Sequence, residues 1–512
     1  MAAAHSQLSH DASSDDKAIA HELVAVEDTG HTKEDAAIAA AQQKTPEEEK
    51  KILRKIDVRL VPVLAFLYLV SFIDRANIGN ARVAGLEKDL KLHGMQYNVA
   101  LTIMFIPYSL LEVPSNIILK MTRPSYYISI LLFVWGLIVT LTGLVQSYSG
   151  LLAARWFLGT AEAGFFPAAT FLLTIWYRRY EVQTRMVFFY AGATMGGAFS
   201  GLLAYAIQKM DGVSGLEGWR WIFIIEGIFT SSLAFFMWRI LPDRPGTASF
   251  LTPDEREFVI ARLQVETGSG RGRITNDDKI TKEHIFAGLR EWKIWLAVLI
   301  FWGNAIGGYG FTYAIPTVIL GLGYTAANAQ LLTVPIYVVA MIATVLNAVI
   351  SDRYKQRSPF IILGLVVAII GTICLLAVPH PGLPGLTYGI LFIAASGLYM
   401  LTIPVMCFVA NNLAPSSKRA VGMALLLSIG NMGGIVGSNI FLSNQAPHYW
   451  TGYGVIMGID CLAVVACLIL RFSYKRINAE RDRMSEEEIR ARYTDDELLK
   501  MGDKSPFYRY TL

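Results

Sequence analysis

Apolar residues are gathered into twelve long runs along the chain. The runs lie near 59–80, 97–119, 126–146, 149–176, 186–207, 220–241, 293–320, 327–350, 358–378, 386–410, 421–442 and 451–472. A helix needs about 20 mostly apolar residues to cross the hydrocarbon core of a bilayer. Prolines and glycines within the runs are compatible with this, because neighbouring helices satisfy the backbone groups that they free. The pattern predicts an all-α membrane protein with twelve transmembrane helices.

The longest internal polar stretch, at 242–292, divides the runs into six and six. It predicts two six-helix halves, at 50–241 and 293–472, joined by a loop. A weak repeat supports this division. Pro167 precedes Met195-Gly196-Gly197 by the same spacing as Pro404 precedes Met432-Gly433-Gly434. We call the separation of Pro167 from Pro404, close to half the chain length, the repeat offset. Two related halves around a central cavity are typical of secondary transporters, so we expect pseudo-symmetric halves.

The polar segments outside the runs also carry signals. Residues 1–49 are acidic and lack an apolar core, which predicts a disordered tail rather than a signal peptide. Thr45-Pro46-Glu47-Glu48 and Thr252-Pro253-Asp254-Glu255 each predict a capped helix start. Gly268–Arg273 is typical of a flexible linker. Residues 473–512 predict a second tail with short exposed helices.

Basic residues are distributed unequally between the loops. If the amino terminus is cytosolic, the short cytosolic loops contain ten lysines and arginines: Lys120, Arg123, Arg178, Arg179, Arg185, Arg353, Lys355, Arg357, Lys418 and Arg419. The opposite loops contain four: Arg82, Lys88, Lys91 and Lys209. Because short cytosolic loops are enriched in positive charge, the bias predicts that both termini, the central loop and the final tail are cytosolic.

Composition narrows the function. The chain is 54% apolar and 17% charged, whereas soluble domains are about a quarter charged. A net charge of +4 gives no general support for nucleic-acid binding. The four cysteines lie within apolar runs and form no CxxC pair, so we expect no metal site. No serine-triad, HExxH or phosphate-loop arrangement is present. We therefore expect neither an enzyme nor a cofactor.

Ionisable residues inside the runs are the candidate functional groups. Each costs roughly 2.5–3.5 kcal/mol at a helix centre on insertion scales, so it usually faces a cavity or a partner. They are Asp74, Arg75, Glu112, Arg155, Glu162, Glu226 and Asp460. For Glu112 and Glu226 we favour structural pairing with a neighbouring helix. Asp460 stands alone in the last run, where a structural role is also expected.

The first and fourth runs carry the sharpest signals. Arg155 and Glu162 share one helix face but are about 10.5 Å apart along the axis, too far for a direct pair. Arg155 is a candidate for binding an anion and Glu162 for taking a proton; alternatively, each pairs with another helix. Asp74 and Arg75 point about 100° apart, so only one needs to face the cavity. Arginine matches a carboxylate in bidentate fashion.

Several of these residues lie in motifs that resemble a known family. Ser71-Phe72-Ile73-Asp74-Arg75-Ala76-Asn77-Ile78-Gly79-Asn80-Ala81 is similar to the first-helix signature of the anion:cation symporters of the major facilitator superfamily. The other motifs are Glu112-Val113-Pro114-Ser115-Asn116, Arg155-Trp156-Phe157-Leu158-Gly159-Thr160-Ala161-Glu162-Ala163-Gly164 and Trp219-Arg220-Trp221-Ile222-Phe223-Ile224-Ile225-Glu226-Gly227. The resemblance covers about residues 50–475 and is greatest to the fungal allantoate and nicotinate permease branch.

The resemblance implies the twelve-helix fold of that superfamily and proton-coupled uptake of organic anions by alternating access. It assigns substrate binding to Arg75 and proton transfer to Asp74 and Glu162, with Arg155 at the fourth-helix arginine position. The superfamily's loop signature is present as Asp352-Arg353 with Arg357, whereas the first half has Lys120-Met121-Thr122-Arg123 and lacks the aspartate. We expect Asp352 and Arg353 to have a gating or structural role.

Polar residues of the second half are candidates for the rest of the site. Asn304, Tyr309 and Asn431 are predicted to contact substrate, and the aromatic group Tyr309, Phe311 and Tyr313 favours a ring-bearing acid. The leading hypothesis is a monomeric plasma-membrane importer of a small organic anion. Its partners would be the anion, protons and lipid. An exporter of an anionic metabolite and a nutrient sensor without turnover are the alternatives. Asp74 and Glu162 together permit either one or two protons per cycle.

Overall fold

The protein is all-α. A computed structural model describes residues 44–267, 286, 288–379, 382–414, 416–494, 497–498 and 501–512. Residues 1–43 of the tail predicted at 1–49 and the predicted linker at Gly268–Arg273 lie outside the described residues, whereas residues 46–49 of that tail already belong to the first helix. The helices of the described part are α1 (Pro46–Val83), α2 (Leu86–Asp89), α3 (Gln96–Met121), α4 (Pro124–Thr142), α5 (Tyr148–Glu162), α6 (Phe165–Trp176), α7 (Arg179–Ile207), α8 (Gly218–Ile240), α9 (Pro253–Thr267), α10 (Trp292–Gly321), α11 (Ala326–Tyr354), α12 (Ser358–Ala377), α13 (Pro384–Tyr399), α14 (Thr402–Asn411), α15 (Ser416–Asn431), α16 (Gly433–Gly437), α17 (Trp450–Arg481) and α18 (Glu486–Arg492). No strand occurs among them, so the predicted fold class is confirmed.

The helices match the predicted runs. In the described part of the chain, eleven helical segments are long and apolar enough to cross a membrane. Helix α3, 26 residues long, coincides with the remaining run. It contains Glu112 and two internal prolines, Pro107 and Pro114. α3 packs beside α5 as one more member of the bundle.

The predicted helix caps are confirmed. Thr45 Oγ1 accepts a hydrogen bond from the Glu48 backbone N–H, and the Glu48 carboxylate accepts one from Thr45 N at 2.9 Å. Thr252 and Glu255 form the same reciprocal pair at the start of α9. These contacts satisfy backbone donors that a helix start leaves free. From its cap, α1 runs for 38 residues without interruption, through the basic segment and into the first apolar run.

Two transmembrane segments are broken at equivalent positions. The fourth predicted run consists of α5 and α6 with a break at 163–164, and the tenth consists of α13 and α14 with a break at 400–401. The two breaks are separated by the repeat offset. Pro167 and Pro404 are each the third residue after the break. Proline has no backbone N–H, so the carbonyls of Ala163 and Met400, four residues before Pro167 and Pro404, lose their helical donor. Each helix is therefore interrupted at that carbonyl.

The two halves contact each other at the end of the molecule where α1 ends and α17 begins. Asn98 Nδ2 donates to the Ser438 carbonyl at 2.7 Å, and Arg82 Nη2 donates to Ser443 Oγ at 2.8 Å. Gly434 allows a close approach of the halves, because a Cβ there would lie 2.3 Å from a ring carbon of Phe105. These contacts close this end, which we call the closed end.

The segments that follow each half are less exposed than the sequence suggested. Helix α9 packs on the first half, where Arg262 is fully buried. Helix α17 continues to Arg481, beyond the end of the last predicted run at 472. Residues 501–512 fold back onto the second half, with Asp503 fully buried. In the predicted tail, α18 is mostly exposed, as expected for a short surface helix, and only its Ile489 is buried.

Candidate functional site

A cavity lies between the two halves, near the middle of the long helices. Eight of its seventeen lining residues are aromatic, and amide and hydroxyl groups are interspersed among them. Arg75 is the one lining residue among the described residues that carries a formal charge. The lining residues are Tyr68, Phe72, Arg75, Tyr108, Phe166, Tyr190, Phe301, Asn304, Ala305, Gly308, Tyr309, Thr312, Tyr399, Thr402, Met406, Leu427 and Asn431. Such a wall suits a small, partly apolar ligand with one negative group.

Arg75 is held by an ion pair and a hydrogen bond from opposite halves. Its Nε donates to Glu162 Oε1 at 2.6 Å, and Ser71 Oγ donates to the same oxygen at 2.6 Å. Its Nη1 donates to the Tyr309 hydroxyl of α10 at 3.0 Å. Arg75 and Glu162 are both almost fully buried. The pair is therefore largely shielded from water. In such surroundings, charge-assisted hydrogen bonds are strong.

Three aromatic rings surround the guanidinium group. The Arg75 Cζ atom lies 4.7 Å from the ring centre of Tyr108, 5.5 Å from that of Phe72 and 5.9 Å from that of Tyr309. Rings at these distances attract a cation through their quadrupoles and restrict its rotation. The rings and the Glu162 pair together fix the direction in which Arg75 presents its donors to the cavity.

Asn304, Tyr309 and Asn431 of the second half line the cavity. Phe311 and Tyr313, the other members of the predicted aromatic group, are buried but do not line it. The Tyr309 hydroxyl lies 3.4 Å from Asn431 Oδ1, so a polar chain continues from Arg75 to α15. Both polar atoms of the Asn304 side chain form hydrogen bonds within the wall. Its Nδ2 donates to the Leu398 carbonyl at 2.8 Å, and its Oδ1 accepts from Thr402 Oγ1 at 2.9 Å. Asn304 thus anchors the broken segment α13–α14, while Tyr309 and Asn431 remain part of the Arg75 network.

Asp74 faces away from the cavity. Its Oδ2 lies 3.4 Å from Thr230 Oγ1 of α8, and its Oδ1 has no hydrogen-bond partner in the described structure. Asp74 and Arg75 thus point in different directions, as their adjacency in a helix requires. Asp74 is buried within the first half and has no direct contact with Arg75 or Glu162 among the hydrogen bonds of the described chain.

The structure does not bring Arg155 to the cavity wall. Arg155 is 1% exposed, its Cζ lies 5.7 Å from the Phe223 ring centre, and its Nε and Nη2 have no partner in the described residues. Glu162 pairs with Arg75 of α1 instead of with a charge on its own helix. A Cβ at Gly159 would lie 2.1 Å from the Met104 carbonyl oxygen; this face of α5 is therefore pressed against α3.

The other predicted charges have local contacts. Glu226 accepts a short hydrogen bond from Asn77 Nδ2, which joins α8 to α1. Glu112 is 3% exposed and lies beside the Asn431 side chain. Asp352 forms an ion pair of 2.5 Å with Arg357, whereas Arg353 is exposed. In the loop signature, the contact with Asp352 is thus made by Arg357.

The cavity wall follows the internal repeat. Four pairs of lining residues are separated by the repeat offset: Tyr68 and Ala305, Phe72 and Tyr309, Arg75 and Thr312, and Tyr190 and Leu427. Sequence reasoning missed Tyr108, Tyr190 and Thr402 in the wall. The repeat offset, applied to Phe72 and Arg75, would have pointed to Tyr309 and Thr312. The second half has Thr312 where the first has Arg75. The lining residues of the two halves therefore correspond in position, but the positive charge lies on the first half.

Comparison with known proteins agrees with this architecture. Residues 64–438 match the sequence profile of the Major Facilitator Superfamily. A bacterial homologue of the human lysosomal transporter Spinster, in an inward-facing and occupied conformation, superposes with a TM-score of 0.60 at 18% identity, covering 86% of this chain and 100% of the other. The chain belongs to the Major Facilitator Superfamily and is a multi-pass membrane transporter, not an enzyme.

Relatives of similar length are fungal transporters. An MFS-type transporter of Penicillium expansum, cnsO, is 37% identical over 475 residues, which cover 90% of each chain. The high-affinity nicotinic acid transporter of Saccharomyces cerevisiae is 31% identical over 90% of this chain and 85% of its own length. The major facilitator-type transporter hxnP of Emericella nidulans is 30% identical, with coverage of 91% and 94%. The predicted similarity to fungal permeases is confirmed.

Proposed function

We propose that this protein imports a small organic carboxylate together with protons by alternating access. The observation that carries the proposal is the buried ion pair between Arg75 and Glu162 at the edge of the cavity. An arginine whose counter-ion is a titratable side chain can exchange that counter-ion for a substrate carboxylate. Glu162 would then be a buried carboxylate without its countercharge, and uptake of a proton would neutralise it.

This exchange would couple the movement of substrate to the movement of protons through one side chain, Glu162. Substrate binding at Arg75 displaces Glu162, and Glu162 takes up a proton. Release of substrate on the other side restores the pair and expels the proton. A monoanion moving with one proton carries no net charge across the membrane. If Asp74 contributes a second proton, the membrane potential adds roughly 2.3 kcal/mol per 100 mV to the driving force.

The chemistry of the wall supports a ring-bearing monocarboxylate. Phe72, Tyr108 and Tyr309 surround the Arg75 guanidinium group, and the ring of a ligand could stack on them once its carboxylate binds the arginine. The similarity to a nicotinic acid transporter agrees with this substrate class. We infer in addition that the protein acts as a monomer in the plasma membrane, with both termini cytosolic as the loop charges predict.

Uptake of labelled organic acids tests this proposal. Cells expressing the chain would be given nicotinate, allantoate and other monocarboxylates at acidic external pH, with and without a proton ionophore. We expect accumulation of at least one acid, and collapse of that accumulation by the ionophore. If the surface-localised protein accumulates none of the acids, import is contradicted, and export or sensing becomes the better explanation.

A further inference from the structure

Two buried ion clusters lie at the end of the molecule where α1, α7, α10 and α15 begin, which we call the base. In the first half, Arg262 of α9 is fully buried. Its Nε donates to Glu49 Oε1 at 2.7 Å, and its Nη2 contacts Glu181. Arg178 lies 3.6 Å from the same oxygen of Glu49. Two cations and two anions thus fix α9 to the first turns of α1 and α7.

In the second half, the buried residue is an acid. Asp503 Oδ1 lies 2.8 Å from Lys418 Nζ, and Asp503 Oδ2 lies 3.4 Å from Lys293 Nζ. Lys418 also pairs with Glu291 at 2.7 Å. The Tyr510 hydroxyl donates to Asp503 Oδ2 at 3.0 Å. Burial and the Asp503 charge raise the pKa of the Tyr510 phenol, so the hydroxyl remains a donor.

The clusters occupy matching places in the two halves. In each half, the segment that follows the sixth transmembrane helix binds the first turns of the first and fifth transmembrane helices. Glu181 in α7 is separated from Lys418 in α15 by the repeat offset. Glu49 and Lys293 each lie in the first turn of the first helix of their half, but not at the repeat offset. The signs of the charges are reversed. The segment brings a cation to two acids in the first half, and an acid to two cations in the second.

We propose that residues 253–263 and 501–512 are matched caps of the base, and that their opposite charges direct each cap to its own half. Pseudo-symmetric halves present similar surfaces, so a cap needs a feature that rejects the wrong half. On the second half, Arg262 would meet Lys293 and Lys418. These two lysines have one counter-charge between them in the described chain, Glu291. On the first half, Asp503 would meet Glu49 and Glu181, where Arg178 supplies the counter-charge. A buried like-charge contact is strongly unfavourable, and such contacts are an effective source of specificity.

The second cap also joins helix ends that the ion cluster does not reach. The backbone N–H of Arg357 donates to the Leu512 carbonyl at 2.7 Å. Asn412 exchanges two hydrogen bonds with the backbone of Thr511, at 2.8 and 3.0 Å. Tyr510 stacks on Tyr474 of α17 with ring centres 4.5 Å apart. The cap thereby holds the bases of α10, α12, α14, α15 and α17 together, so that the second half can move as one body.

Thiol labelling at Ser505 tests the second cap. Ser505 is 7% exposed and lies within the cap, so a cysteine placed there reports cap release to a membrane-impermeant maleimide. We expect slow labelling of the S505C protein. Adding Asp503→Lys should accelerate labelling by at least about tenfold, because an added cation would face two buried lysines. Adding K293E and K418E to that variant, together with E291K so that the cluster again has two cations and two acids, should return the rate close to that of S505C alone.

Three further variants keep the test decisive if the charge reversal prevents folding. Asp503→Asn removes the charge at nearly constant size and should accelerate labelling less than Asp503→Lys. Asp482→Asn breaks the exposed Asp482–Arg509 pair of the same region and should leave the rate unchanged. The first cap is tested in the same way, with a cysteine in place of Ala248, a residue that is 4% exposed. Arg262→Glu should accelerate labelling of that cysteine.

The outcomes separate the two parts of the proposal. Unchanged labelling in Asp503→Asn and Asp503→Lys would overturn the cap. Equal acceleration in both, without restoration by K293E, K418E and E291K, would show that packing rather than charge selects the half. Labelling does not depend on substrate, so these results stand whether or not the chain imports a carboxylate.

Discussion

Arg75 and Glu162 join the first and fourth transmembrane segments through a 2.6 Å hydrogen bond, and the same guanidinium reaches Tyr309 of the other half at 3.0 Å. The arginine therefore contacts a carboxylate of its own half on one side and a hydroxyl group of the other half on the other. Any ligand that replaces Glu162 at Arg75 also changes the environment of Tyr309. This arrangement makes occupancy of the cavity sensitive to the relative position of the halves.

Replacing Arg75 should abolish uptake. Arg75→Ala removes the one positive charge among the described lining residues, and Arg75→Lys keeps the charge but loses the planar fork that matches a carboxylate. We expect Arg75→Ala to reduce uptake by at least about 100-fold, since a buried charge pair is lost, and Arg75→Lys to be intermediate. Surface expression is the control, and Arg476→Ala, at an 83% exposed position, should transport normally. Normal transport by Arg75→Ala would refute the assignment.

Replacing Glu162 should uncouple substrate from protons. Glu162→Gln keeps the shape and the hydrogen bonds but cannot bind or release a proton. We expect it to exchange labelled for unlabelled substrate across a vesicle membrane while failing to accumulate substrate against a gradient. Exchange and accumulation are measured on the same reconstituted protein. Accumulation at the level of the unmodified protein would exclude Glu162 as the proton carrier.

Uptake by the unmodified protein should fall as external pH rises through neutrality. Protons are a co-substrate in the proposed cycle, so a lower external concentration slows loading of Glu162 and removes the driving force. Initial rates measured from acidic to alkaline pH, at constant concentration of the ionised substrate, test this. The profile should flatten in Glu162→Gln. A flat profile in the unmodified protein would contradict proton coupling.

Tyr309→Phe should weaken transport without unfolding the protein. The variant keeps the ring beside Arg75 and removes the hydroxyl that links Arg75 to Asn431. A hydrogen bond to a charged group contributes about 1.5–3 kcal/mol, so we expect a decrease of roughly tenfold or more in kcat/KM. Tyr313→Phe is the matched control, because Tyr313 stacks on Tyr309 with ring centres 6.5 Å apart but its hydroxyl does not bond to Arg75. Equal effects of the two changes would argue against a role for the Tyr309 hydroxyl.

Gly434→Val should prevent closure of the closed end. A Cβ at Gly434 would overlap the Phe105 ring, and valine adds two methyl groups beyond it. We expect loss of transport and faster labelling of a cysteine placed at Ser438 near the Asn98 contact. Gly454→Val is the control, since a Cβ there meets no atom within 4 Å. Unchanged labelling and transport in Gly434→Val would mean that this contact does not limit the cycle.

Local sequence signals predicted the helices and part of the site. The apolar runs indicated the bundle, and the Thr45 and Thr252 motifs indicated two helix starts, because both depend on neighbouring residues. Arg75 was identified because a buried arginine is costly in a membrane. Its partner could not be read locally, since Glu162 is 87 residues away and Tyr309 is in the other half. The position of Arg155 could not be predicted for the same reason. The sequence placed Arg155 and Glu162 on one face of their helix, but it did not show that α3 packs against that face.

The carboxyl-terminal cap illustrates a different limit. Residues 501–512 form a short segment that is predicted to belong to an exposed tail, although it contains five large apolar or aromatic residues: Met501, Phe507, Tyr508, Tyr510 and Leu512. Asp503 becomes buried only because Lys293 and Lys418, which are far apart in sequence, both reach it. Charge complementarity over such separations leaves no periodic pattern. The repeat offset was the one available signal, since it aligns Lys418 with Glu181 of opposite sign.

The unequal cavity wall has a consequence for the path of a ligand. Arg75 has Thr312 as its counterpart, so an anion has its ionic anchor on one half alone. In the proposed cycle, a carboxylate bound to Arg75 would move with the first half, while the facing wall of Tyr309, Asn431 and Thr402 would change its position relative to the ligand. The difference in affinity between outward and inward states would then arise from the uncharged wall, and substitutions there should alter the rate of release more than the selectivity for anions.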